Sequence, residues 1–91
     1  MEKDVIWKYE IEIRDDYELT IPAHGDILYL GVQNNKPYIW VKVNPYNKGV
    51  KRHFAVYGTG HSIKEKEDEL IYIGSFQTHD ERFVAHVFEI I

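Results

Sequence analysis

Three features of this 91-residue chain predict an all-β fold, a single small antiparallel sandwich or partly open barrel of about seven strands. Apolar and polar residues alternate with a period of two along most of its length, the mark of strands with one buried face. Turn-forming residues interrupt the alternation at short intervals, at Arg14-Asp15-Asp16, Pro22 to Asp26, Asn34 to Pro37, Asn44 to Gly49 and Gly58 to Gly60. The one run of helix-like composition, Lys64-Glu65-Lys66-Glu67-Asp68-Glu69, has no apolar stripe to hold a helix against a core. It is expected to be an exposed loop.

The first predicted strand covers residues 5–13, with Val5, Trp7, Tyr9, Ile11 and Ile13 facing inward and Ile6, Lys8, Glu10 and Glu12 outward. Tyr17, Leu19 and Ile21 alternate with Glu18 and Thr20 in a second strand, which Pro22 ends by removing a donor. Residues 27–33 have few polar side chains, so both faces of that strand are expected to be covered, and Gly31 points to a bulge or a close contact. Asparagine tolerates the left-handed region, so Asn34-Asn35 forms a hairpin loop leading into a strand over 38–43. A fifth strand runs from Val50 to Tyr57, a sixth from Leu70 to Phe76 and a seventh from Arg82 to Ile90.

The length suits one domain, 1–91, and the 44% hydrophobic fraction is enough for a core, which argues against disorder. No cysteine is present, which excludes disulfides and thiolate chemistry. The charged start, Met1-Glu2-Lys3-Asp4, is unlike a signal peptide, and no apolar window is long enough for a membrane helix. A soluble intracellular protein with no membrane partner is the expectation.

Charge is unevenly distributed. Residues 1–26 hold eight acids and three bases, and residues 65–91 hold seven acids and two bases. Residues 27–64 contain no acid, but do contain Lys36, Lys42, Lys48, Lys51, Arg52 and Lys64. A basic middle third in a chain of net charge −4 points to a local anionic partner, since long nucleic acid wants a domain-wide basic footprint. The competing explanation is that these lysines pair with acids across a sheet.

The candidate chemistry centres on Val50 to Ile63, where a strand runs into Gly58-Thr59-Gly60-His61. Glycines at 58 and 60 allow a tight turn with converging N–H groups, Thr59 adds a hydroxyl, His61 a ring nitrogen and Arg52 a planar fork of donors. No Lys-Ser/Thr or helix follows, so this is not a Walker loop. The five histidines show no metal-ligand spacing, and no metal site or cofactor is expected. His86 shares a strand face with Val84, Phe88 and Ile90, which predicts a buried structural histidine with a backbone or carboxylate partner. Ser62 follows His61 directly and points the other way, and Ser75 sits mid-strand beside Gly74, so no base–nucleophile pair is visible. No catalytic residue is assigned. Trp7, Tyr38, Trp40, Tyr46 and Tyr57 suit either sheet packing or stacking on a nucleobase.

The runs Ile6-Trp7-Lys8-Tyr9, Pro22 with Gly25-Asp26-Ile27-Leu28, Trp40 to Pro45, Arg52-His53-Phe54, Gly58-Thr59-Gly60-His61, Tyr72-Ile73-Gly74 and Phe83 to Glu89 resemble an uncharacterised family of small phage and prophage proteins. The resemblance spans nearly the whole chain, and Gly-Thr-Gly-His and His-Val-Phe-Glu are its more specific parts. It implies a phage origin and residence in the host cytoplasm, and it supplies no activity, fold or site. Small phage proteins without replication or virion signatures often defeat host defences, some by sequestering nucleotide messengers. The expected function is therefore a counter-defence sponge for a small phosphorylated nucleotide. In it Arg52, Lys51 and His61 meet phosphate, the backbone of Gly58, Thr59 and Gly60 cradles it, and Trp40 or Tyr57 stacks on a base. Two alternatives stay open: a protein–protein inhibitor of a host target, and a small hydrolase using His53 and His61. A homo-oligomer and a host protein also stay open as partners.

Overall fold

A computed structural model of the protein describes residues 4–14, 16–64, 69–77 and 83–91. Its seven strands are β1 (Val5–Glu10), β2 (Tyr17–Pro22), β3 (Asp26–Gln33), β4 (Lys36–Val43), β5 (Gly49–Gly58), β6 (Leu70–Gln77) and β7 (Val84–Ile90). They form two antiparallel sheets, ordered β1-β4-β3 and β2-β5-β7-β6, and no α-helix occurs among the described residues. The expected all-β class is what the chain adopts. Residues 65–68 of the acidic run and Arg82 lie outside the described residues.

One core joins the sheets. Ile39 and Val41 of β4, Ile21 of β2, Phe54 of β5 and Val87 of β7 are all fully buried, and Ile27, Leu30 and Ile73 pack against them from β3 and β6. Alternation explains the choice: Ile39, Val41 and Val43 are buried in β4, whereas Tyr38, Trp40 and Lys42 share its other face. The edge strands β3 and β6 are where the sheets approach most closely, and a Cβ on Gly74 of β6 would lie 3.0 Å from Leu30 of β3.

Three expectations need correction. The first strand stops at Glu10, and Ile13 is 51% exposed instead of facing the core. Only Ile11 of that tail is buried, tied by its N–H to the Pro37 carbonyl at 3.0 Å. Val5 and Trp7 do share a face with Val43 and Val41, but β1 is an edge strand and leaves them partly in solvent. The third correction concerns β3, which is not covered on both faces. Leu28, Tyr29 and Val32 are all exposed.

The β3–β4 hairpin turns through Asn34 (φ 50°) and Asn35 (φ 65°), the paired positive φ of a two-residue turn whose twist matches the strands. β3 bulges between Ile27 and Tyr29, and β6 between Tyr72 and Gly74. Each extra residue resets which side chains share a face.

Candidate functional site

The residues expected to bind phosphate are held apart by the sheets. Arg52 faces inward, and its three nitrogens are committed. Nε donates to Glu89 Oε2 at 2.6 Å, Nη2 to Glu89 Oε1 at 2.8 Å and Nη1 to the Gly25 carbonyl at 2.7 Å. The hydrogen bonding to Glu89 raises the Arg52 pKa above its ordinary value, against the cost of burial, with the charges of Glu89 and Asp26 adding to it. Arg52 borders a cleft of about 290 Å³ between the sheets, together with Gly25, Asp26, Tyr29, Tyr72 and Glu89. Two carboxylates against one guanidinium make this cleft a poor place for an anion.

Lys51 is on the opposite face of β5, exposed and 3.7 Å from Glu18, the cross-strand pair of the structural alternative. In the glycine turn, the Thr59 N–H donates to Val84 O at 3.1 Å and the His61 N–H to Gly58 O at 3.0 Å. The Thr59 amide of the expected cradle is therefore spent, as is the neighbouring His61 amide. Gly60 does take a positive φ, 88°, as a glycine corner requires. The His61 ring packs on Gly58, where an added Cβ would come within 2.9 Å of it. Tyr57 is 3% exposed and has no face free for a base. His53 lies 3.8 Å from Glu18, and the expected burial of His86 is not found, because its ring is half-buried between two hydroxyls. Among the described residues, no three His, Asp or Glu side chains converge as a metal ion requires.

Trp40 stands elsewhere, on the outer face of the three-stranded sheet, and there the surface is concave. A groove of about 430 Å³ is lined by Ile6 of β1, Trp40 of β4 and Leu28, Tyr29, Gly31 and Gln33 of β3. The Tyr29 and Trp40 rings lie 5.6 Å apart at 47°, and Tyr38 adds a third ring 6.1 Å from Trp40 at 57°. Tyr29 is 64% exposed and lies over Gly31, where a Cβ would fall 2.5 Å from its Cε2. The ring occupies the space that a side chain at this position would take. The bulge after Ile27 sets Tyr29 opposite Trp40.

Lysines flank this groove by register without lining it. Lys8 pairs with Trp40 and Lys36 with Gln33, whereas Lys42 lies between Ile6 and the acidic Asp26. Lys8 Nζ donates to Gln33 Oε1 at 2.8 Å and sits 4.5 Å above the Tyr38 ring, a cation–π contact that holds a positive charge beside the aromatics. Of the expected ligand residues only Trp40 belongs here. Tyr29, Leu28, Gly31 and Lys8 were missed. For the first three the signal was the excess of apolar residues in 27–33, which reads equally well as burial on both faces; Lys8 carried none.

No curated protein and no solved structure matches the chain. The model of a domain of unknown function, DUF7352, matches residues 2–91, and the protein therefore belongs to that family.

Proposed function

We propose that this protein binds a small phosphorylated nucleotide on the outer face of its three-stranded sheet. The observation that carries the reading is the groove between the half-buried Trp40 and the exposed Tyr29, with Lys8 as the cross-strand neighbour of Trp40 and Lys36 and Lys42 further along the same face. Aromatic faces on an open antiparallel sheet suit any nucleobase, and the lysines supply charge for one or two phosphates. The net charge of −4 sets a limit on the partner, favouring a compact anion over a polymer. The phosphate contacts move from Arg52 and the glycine turn to these lysines, while Trp40 keeps its expected role. The resemblance to small phage proteins extends the proposal to biology: a phage protein that sequesters a nucleotide messenger of host defence. Sequestration asks for stacking and charge at the ligand and for no chemistry.

Calorimetric titration with a panel of mononucleotides, cyclic dinucleotides and cyclic ADP-ribose tests the reading. At least one should bind saturably. Trp40→Ala should weaken it by about five- to a hundred-fold, the effect of losing 1–3 kcal/mol of base stacking, with the melting temperature little changed. No binding across the panel, or equal affinity in Trp40→Ala, overturns the proposal.

A further inference from the structure

On the outer face of the other sheet, four side chains form a continuous chain of hydrogen bonds. Tyr72 OH lies 2.6 Å from Ser75 Oγ, Ser75 Oγ 2.7 Å from His86 Nδ1, and His86 Nε2 2.8 Å from Thr59 Oγ1. Register builds it. Ser75 of β6 is the direct cross-strand partner of His86 of β7, whose other neighbour, Tyr57 of β5, leads two residues on to Thr59. In a regular strand Tyr72 and Ser75, three apart, would point to opposite faces. The bulge between Tyr72 and Gly74 inserts one residue and puts both on the face of His86 and Phe88.

The Thr59 hydroxyl has one proton and two acceptors in reach, the Val84 carbonyl at 3.4 Å and His86 Nε2 at 2.8 Å. Activation of Ser75 requires the tautomer in which that proton goes to Val84 and His86 carries its own on Nε2. Nδ1 is then left with a lone pair directed at Ser75, which donates to it and accepts from Tyr72 OH. A serine hydroxyl bonded to the basic nitrogen of an oriented imidazole is the arrangement of an activated nucleophile. Thr59, Ser75 and Tyr72 are all exposed, so water would satisfy each of them and the fold gains little from their alignment.

We propose that Ser75 is an acyl-acceptor site, activated by His86 and reactive toward activated esters with an apolar acyl group. Ser75 Oγ attacks the ester carbonyl carbon while its proton passes to His86 Nδ1. The bond from that carbon to the alcohol oxygen breaks, and the leaving alkoxide or phenolate departs with the electron pair, leaving acyl-Ser75. Tyr72 OH, already 2.6 Å from Oγ, is the donor nearest the oxyanion that forms beside it. Thr59 is a positioning residue that holds the tautomer. The ring of Phe88, 5.5 Å from that of Tyr72, provides an apolar wall for the acyl group. Because Thr59 is neutral where a carboxylate would stabilise the imidazolium, the reaction is slow and stoichiometric.

The test is p-nitrophenyl butyrate with the full chain, following p-nitrophenolate release and locating the acyl group by peptide mass spectrometry. One butyryl group per chain should appear on Ser75, and Ser75→Ala should abolish it. His86→Gln should slow acylation by about a hundred-fold or more, as expected for loss of a general base. Thr59→Val should slow it with the melting temperature unchanged, which a purely structural role would not do. If His86→Gln fails to fold, Thr59→Val disturbs the same base from an exposed position and decides the matter. Acylation confined to lysines, no acylation, or acyl-Ser75 forming at the wild-type rate in the folded His86 or Thr59 variant overturns the proposal.

Discussion

Arg52 and Glu89 lie 37 residues apart in the chain and meet as a two-point ion pair between β5 and β7, at 2.6 and 2.8 Å. Their side chains are only 20% and 14% exposed, so the charges lean on each other more than on water. Removing one partner leaves the other partly buried and unpaired. Arg52→Ala should therefore cost about 2–3 kcal/mol, somewhat below the 3–5 kcal/mol of a fully buried pair. Arg52→Lys should recover part of this, since a point charge does not reproduce the fork. Chemical denaturation measures both, and an unchanged midpoint for Arg52→Ala would remove the structural role assigned to the pair.

Gly25 gives its carbonyl to Arg52 and has no room for a side chain. An added Cβ would meet Ile21 Cγ2 at 2.8 Å, Val41 Cγ1 at 3.1 Å and the Pro22 carbonyl at 3.2 Å. Ile21 and Val41 are fully buried and have nowhere to move. Gly25→Ala should destabilise by about 1–3 kcal/mol through overpacking, read as a lower thermal midpoint.

Gly31→Ala tests the groove instead of the core. Its Cβ would strike the outer end of an exposed ring, Tyr29, which can swing away. Stability should change by less than about 1 kcal/mol. Nucleotide affinity should fall several-fold, because the ring that faces Trp40 is displaced. Affinity held at the wild-type level would show that Tyr29 takes no part in binding.

Tyr17 stacks on Phe54 at 5.7 Å, and its buried hydroxyl has no hydrogen-bond partner among the described residues. Tyr17→Phe should thus be neutral or stabilising by about 1 kcal/mol at pH 7. Burial first, and the charge of Glu12 second, push its pKa well above the ordinary 10.0. The unfolded chain loses this proton near pH 10 while the native protein keeps it. The native state then binds more protons, and stability falls as pH rises beyond 10, by at most about 1.4 kcal/mol per pH unit for this group. Tyr9, raised in the same direction by burial, adds to the decline. Urea unfolding at pH 8 to 11 should show a shallower loss for Tyr17→Phe, and parallel curves would contradict the assignment.

The amino-acid sequence by itself determined the strands and most of their inward faces. Period-two alternation and turn residues act over a few neighbours, so Ile39, Val41 and Val43 could be assigned to the core from β4 alone. Positions governed by pairing were beyond that reach. Residues 27–33 carry apolar side chains on both faces, and only the absence of a covering layer over Leu28 and Tyr29 turns the outer one into a groove. Arg52 reads as a free donor fork until β7 brings Glu89 against it. His86 and Ser75 are 11 residues apart in strands whose register no local rule sets, and the bulge at Ile73 decides that Tyr72 joins them. Strand identity is a short-range property of the backbone and its side-chain period. Which side chains meet across a sheet depends on register, and register is settled by the packing of the whole core.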